Sequence, residues 1–503
     1  MPVAPSPEPS AAPPRVLPIV LLAAVLLTAL LLRLRTLGAE SLWLDEATSL
    51  FLARMDIPTL IAWTAHDIHP PLYYILLHGW RVFGESEFAL RSLSATAGLL
   101  AVGGIYLLGR TLFGQMTALL AALLLAVSPL HLWYSQEARM YALVTALSLF
   151  ASCHLVRALQ DGHRRHWIGY TFWITLALYT HYYAFFVILL HWAAVASWLM
   201  LTADVPAERT PLVRDWLVVQ AVALALFLPW VPTLIRQVAG GGGAWVAQAV
   251  GIPSLRALPE TLLLYVVGTT RSAVPALWRR AAYAFYGLAI LAALRSGVST
   301  PNRKRLDWGV LFCLLYLLVP LSSAWAISQI KPLFATRYLL PFLPPFLLLA
   351  AYGISTLPRR SLQISLMLPV AVIPLLISLQ MQATEQNVNW RAIAADVLSR
   401  SAPGDVAVFE PGWYSKPFNY YARDQIEVFD TLPIPAEPAS PDEALEVVLT
   451  QHRRAWLIWR SGHYGDPTGA VPQYFDQRYA LLDSEAVPQF GVIRLYDLTA
   501  PPR

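Results

Sequence analysis

The chain has 503 residues, of which 57% are hydrophobic and only 13% charged, with a formal net charge of +5 and two cysteines. That apolar balance excludes an ordinary soluble domain, and two cysteines exclude a disulfide scaffold. Cys153 and Cys313 both fall inside apolar runs and read as small buried side chains.

Residues 1–15, rich in proline, alanine and serine, read as a disordered tail. The apolar run that follows has no small-residue cleavage site before Leu42, which argues against a removed signal peptide. Runs near the ~20 residues that cross a bilayer then recur at 16–34, 88–108, 116–133, 138–159, 167–179, 184–201, 216–234, 276–294, 309–327, 338–354 and 362–379. These predict a polytopic α-helical membrane protein with about eleven spans between residues 16 and 380.

Basic loops stay cytoplasmic. With the N-terminus inside, the cytoplasmic loops contain Arg110, then Arg157, Arg164 and Arg165, then Arg209 and Arg214, then Arg303, Lys304 and Arg305, then Arg359 and Arg360. The opposite loops hold Asp45, Glu46, Asp67, Glu85, Glu87 and Glu137. The positive net charge is thereby explained as membrane anchoring, with no nucleic-acid partner required.

From Met381 the pattern changes. Segments 406–409, 426–429, 455–459 and 492–496 read as strands. Segments 390–398 and 441–451 read as helices, the second capped by Ser440 with Pro441 in its first turn. Residues 381–503 are expected to form a small α/β domain outside the cytoplasm, on the side of the acidic loops.

Scarce charge concentrates on that side. Trp43-Leu44-Asp45-Glu46 follows the first span, and His66-Asp67-Ile68-His69-Pro70-Pro71-Leu72-Tyr73-Tyr74 follows in the same loop. Asp45, in an apolar setting, suits a general base for an acceptor hydroxyl or a ligand to a hard divalent cation. Glu46 serves equally well as the acid of a helical first turn. Asp67 suits either a turn cap or, with Asp45, a Mg²⁺ or Mn²⁺ site. His66 and His69 have no zinc-site spacing.

Arg91 heads the second span and either pairs with Asp45 or Asp67 or holds a phosphate. Glu137 and Arg139 share the next outer loop and either neutralise each other or face a substrate. Lys331 and Arg337 precede the tenth span and suit a phosphate clamp. His181 sits among tyrosines, where a hydrogen-bonding role is commoner than that of a base. Glycines 240–243 lack the strand and Lys-Ser/Thr of a P-loop and read as a mobile substrate-gating loop.

Together these stretches resemble membrane glycosyltransferases of the GT-C architecture. Within them they resemble the bacterial family 39 proteins, related to protein O-mannosyltransferases and to the lipid A aminoarabinose transferase. The resemblance rests on Trp43-x-Asp45-Glu46, Asp67-x-His69-Pro70-Pro71-Leu72, Leu90-Arg91 and Arg337-Tyr338, and follows the spans from about residue 16 to 380. It implies a polyprenyl-phosphate sugar donor, a lipid, glycan or protein acceptor, and transfer with inversion in a bacterial inner membrane. It also implies that Asp45 is the catalytic acid/base, that Arg91 supports the site, and that basic residues near the tenth span hold the lipid phosphate. After Met381 the chain departs from these relatives.

A lipid-sugar transporter or flippase would instead place ionisable residues at mid-span and break related helices. A glycan polymerase or ligase would use a lipid-linked donor without this pairing of Asp-Glu with His-Pro-Pro. A scaffold would leave the converging charges unexplained.

Overall fold

The computed structural model describes residues 16–201, 206–239, 251–269, 274–298, 307–384, 387–430, 441–460 and 469–501. The N-terminal tail, the glycine run at 240–243 and Ser440 lie outside the described residues.

All eleven expected segments are helical. Among the described residues, eight helices are long and apolar enough to cross a membrane, or nine if one bent pair counts as a single span. The two expected spans outside that count are 167–179, within a helix of 17 residues, Arg164–Thr180, and 276–294, within the helix Ala276–Val298.

The helices that frame the site come early. After α1 (Val16–Leu34), three short helices lie in the first loop: α2 (Leu44–Ala53), α3 (Ile57–Thr64) and α4 (Leu72–Trp80). Asp56 caps α3 by accepting from Thr59 N, and Pro70 and Pro71 stop any helix from running through to α4. Next comes α5 (Glu87–Phe113), capped by Ser86, which accepts from Ala89 N.

The bent span is α6 (Gln115–Val127) followed at 62° by α7 (Pro129–Ser135). Pro129 removes the donor that would continue α6, and its carbonyls need other partners in an apolar setting. Arg33 donates to Ala126 O at 3.4 Å and Ser378 to Val127 O at 2.9 Å. Gly98 on α5 lets α7 pass closely, since a Cβ there would lie 2.2 Å from Ser135 Oγ. Beyond the Gln136–Met140 loop runs α8 (Tyr141–Asp161), the long buried partner of α5.

The carboxyl-terminal region is the expected α/β unit, with one strand more than predicted. Its five strands are β1 (Asp405–Glu410), β2 (Glu427–Asp430), β3 (Arg454–Trp459), β4 (Ala480–Val487) and β5 (Gly491–Asp497), in the order β2-β1-β3-β5-β4. β1 pairs parallel with β2 and β3, and β5 pairs antiparallel with β3 and β4. One face carries Ala407, Phe409 and Trp456 against the Trp390–Arg400 and Ser415–Ala422 helices. The other carries Val406, Val408 and Leu457 against Leu445, Leu449 and Phe475. The unpredicted β4 is an edge strand, exposed along most of its length.

This region stands on the side of the Asp45 loop, as expected. Ser41 donates to Val388 O at 2.8 Å, and Trp390 N donates to Ser41 Oγ at 3.1 Å. Leu42 N donates to Tyr421 Oη at 2.8 Å. Arg391 and Tyr421 both bind Glu87 Oε1, at 2.6 and 2.9 Å.

Candidate active site

Asp45 and Glu46 occupy the first turn of α2, and the structure gives them different surroundings. Glu46 is fully buried. Its Oε1 accepts from Arg91 Nε at 2.8 Å and Ala138 N at 2.8 Å. Its Oε2 accepts from Arg91 Nη2 at 2.7 Å and Trp43 N at 3.3 Å. Arg91 spends its remaining donors on the carbonyls of Leu37, Glu40 and Ser41. The pair therefore locks three segments together. Arg91, expected near Asp45, Asp67 or a phosphate, pairs with Glu46 instead.

Asp45 is partly open. Its Oδ2 accepts from Arg337 Nη1 at 3.0 Å, and Arg139 Nε stands 4.0 Å away. Arg139 also donates through Nη1 to Ser49 Oγ and Tyr74 Oη, both at 3.2 Å. Glu137 is not its partner, although the two are near neighbours in sequence. Glu137 Oε2 is buried without a hydrogen bond, and burial, helped by Glu46, pushes its carboxyl up to about 8.

Asp67 lies in the turn after α3, half-buried. Burial raises its pKa, while its own backbone contact at Ile68 and the nearby Arg139 hold it down. His66, its neighbour, turns away to the Ala62 carbonyl at 2.8 Å. His69 joins an aromatic cluster, its ring 5.2 Å from His181 and 6.0 Å from Tyr338. His181 stands 4.9 Å from Tyr338, and Tyr141 lies beside both. Burial and then Arg139 depress both histidines, His181 to about 3, so both rings are neutral at physiological pH. Tyr183 N donates to His181 Nδ1 at 3.1 Å. That puts the ring proton on Nε2, which is buried without a partner.

A largely apolar cavity of about 210 Å³ opens beside the cluster. His69, His181, Tyr183, Leu333 and Tyr338 are among the residues that line it. Lys331 is on its wall as well, donating to the Val238 carbonyl at 3.0 Å. Arg337 and Tyr338 begin a 3₁₀ turn, Thr336–Phe342, whose interior Pro341 favours that tighter winding. The turn delivers Arg337 to Asp45 and Tyr338 to the cavity.

Sequence reasoning missed Ser49, Tyr74 and Tyr141. Tyr74 stood in the Pro-Pro-Leu-Tyr-Tyr motif, and the other two had no local signal. A cation held by Asp45 and Asp67 fits this arrangement poorly. Two carboxylates, one already facing two guanidinium groups, make a sparse oxygen set for Mg²⁺ or Mn²⁺. Among the described residues no three His, Cys, Asp or Glu side chains gather as a metal site.

The comparisons with known proteins bear on the fold around this site. Residues 68–232, about a third of the chain, match the model of the dolichyl-phosphate-mannose-protein mannosyltransferase family. No curated protein matches the chain by sequence. The backbone is similar to that of ArnT from Cupriavidus metallidurans in the apo state, with a TM-score of 0.62 at 14% identity, covering 95% of this chain and 97% of that one. The same protein bound to undecaprenyl phosphate gives 0.62 at 13% identity, covering 97% and 99%. The Archaeoglobus fulgidus oligosaccharyltransferase, in complex with Zn and sulfate, gives 0.57 at 15% identity, covering 96% of this chain and 73% of that one. The chain thus has the GT-C fold that its motifs imply.

Proposed function

We propose that this protein is an inverting glycosyltransferase that moves a sugar from a polyprenyl-phosphate donor to an acceptor hydroxyl at the extracytoplasmic face of a bacterial inner membrane. One observation carries the reading: a partly open carboxylate, Asp45, meets two arginines, one of them next in sequence to Tyr338 on the wall of an apolar cavity. The family model on residues 68–232 and the ArnT complex with undecaprenyl phosphate support the choice of donor.

The chemistry follows from the charges. The acceptor oxygen attacks the anomeric carbon from the face opposite the phosphate, and one displacement inverts the configuration. Asp45 takes the hydroxyl proton as the new C–O bond forms. The bond from carbon to phosphate oxygen breaks, and the leaving polyprenyl phosphate gains a negative charge. Arg337 and Arg139 stand where they stabilise that charge. Lys331 stands on the cavity wall, and the apolar lining suits the first isoprene units. Neutral His69 and His181, with Tyr338, offer ring N–H and hydroxyl groups to sugar oxygens. No step is assigned to a metal.

Glu46 and Arg91 hold the loop and take no part in proton transfer. The orientation rests on the alternation of basic and acidic loops, which puts the Asp45 loop and the carboxyl-terminal region outside. The test is membrane transfer from labelled polyprenyl-phosphate sugars. Asp45→Asn should remove transfer at unchanged protein level, and full activity in that variant would sink the assignment.

A further inference from the structure

Two consecutive tyrosines hold Arg139, one by its side chain and the other by its backbone. Tyr73 and Tyr74 lie in the first turn of α4, just after Pro70 and Pro71, and both are fully buried. Tyr74 Oη accepts from Arg139 Nη1 at 3.2 Å. Tyr73 Oη stands 2.8 Å from Ser94 Oγ on α5, and Ser94 donates to the Arg139 carbonyl at 2.9 Å. A serine hydroxyl has one hydrogen, so its use on that carbonyl makes Tyr73 the donor to Ser94. Neighbouring residues on a helix point roughly 100° apart, which is how one turn reaches both parts of the same arginine.

A third hydroxyl completes the set. Ser49 Oγ on α2 donates to the Asp45 carbonyl at 2.8 Å, which leaves a lone pair for Arg139 Nη1 at 3.2 Å. The Asp45 carbonyl itself accepts from Nη1 at 3.4 Å. All three acceptors are neutral, whereas the charge of Arg91 is cancelled by Glu46. Hydroxyl and carbonyl dipoles satisfy a buried guanidinium without cancelling its charge, so Arg139 keeps that charge for another group. Its Nε is buried without a hydrogen-bond partner and stands 4.0 Å from Asp45 Oδ2, too far for a hydrogen bond. An unpaired buried donor is costly, and this one lies beside the carboxylate proposed as the base.

We propose that Tyr73 and Tyr74 are positioning residues for Arg139. Tyr74 fixes the guanidinium, and Tyr73 fixes the backbone through Ser94. Together they keep Nε–H beside Asp45 and open to a phosphate oxygen of the donor. The proposal rests on the reaction above, in which Arg139 stabilises the charge of that phosphate. It gives the two tyrosines after Pro70-Pro71-Leu72 a task distinct from packing.

The experiment is a double-mutant cycle, read by binding of undecaprenyl phosphate to the purified full chain in lipid nanodiscs. Tyr74→Phe keeps the ring, removes the acceptor, and is expected to weaken binding on the order of tenfold. Tyr73→Phe is expected to weaken it about threefold. Arg139→Gln should weaken it at least as much as Tyr74→Phe, and in that background neither phenylalanine should cause a further loss. A second loss there overturns the proposal, because the tyrosines then act through packing or another group. Wild-type binding by a phenylalanine variant, with Arg139→Gln weakened, overturns the role of that tyrosine. Should Tyr74→Phe fail to incorporate, Tyr73→Phe and Ser94→Ala carry the same cycle. No binding by the wild type, or no effect of Arg139→Gln, overturns the donor reading itself.

Discussion

Asp45 and Glu46 are consecutive, share one helical turn, and differ by one methylene, yet they sit in two distinct regions of the molecule. Glu46 has 0% exposure and four donors on its two oxygens, while Asp45 keeps 23% exposure, with one donor at 3.0 Å and a second cation at 4.0 Å. Successive residues on a helix point roughly 100° apart. That rotation turns Glu46 toward α5 and the Gln136–Met140 loop, and Asp45 toward Arg337 and Arg139. A carboxylate whose lone pairs are all used holds structure. One with a free oxygen can accept a proton.

The largest expected effect tests the open member. Asp45→Asn should cut transfer on the order of 10³-fold while leaving the melting temperature in detergent unchanged. The closed member should behave in reverse. Glu46→Gln or Arg91→Met strands a buried charge and should destabilise the fold by about 3–5 kcal/mol, seen as a large drop in melting temperature. An active-site loss at Glu46 with no change in melting would undo the contrast. Arg337→Gln comes next, with kcat/KM for the donor expected to fall on the order of 10²-fold and melting little altered.

Glu137 sharpens the comparison through pH. Its carboxyl, pushed up to about 8, keeps a proton that the unfolded chain releases near the ordinary value of 4.5. The folded chain therefore binds more protons in that window. The stability this provides is full below about 4.5 and is lost as pH rises through about 8. Melting scans should show a decline across that range, and Glu137→Gln should flatten it. A slope that survives the substitution would assign the effect to another group. The smallest effect is expected from EDTA, which should leave transfer unchanged. Loss of activity restored by Mg²⁺ or Mn²⁺ would instead put a metal on Asp45 and Asp67.

The fold was written in the length and spacing of apolar runs, which is why every expected span is a helix. The loop carrying Asp45, Asp67 and His69 was legible for a related reason, since charge is rare enough in this chain to stand out. Pairing was not legible. Nothing local says that Glu46 binds Arg91, 45 residues on, or that Arg139 turns from Glu137 to Tyr74, 65 residues back. β4 escaped because an exposed edge strand such as Ala-Leu-Leu-Asp-Ser-Glu-Ala-Val lacks the alternation that burial of one face imposes.

The grip of Val388, Trp390 and Tyr421 on Ser41 and Leu42 has a consequence for biogenesis. These contacts span 347 to 379 residues of sequence. A ribosome adding 5–20 residues per second needs on the order of 20–80 s to cover that distance. Throughout that interval the first loop is already made while its clasp is not. Asp45 is thus among the first residues of the candidate site to be made and among the last to be set in place.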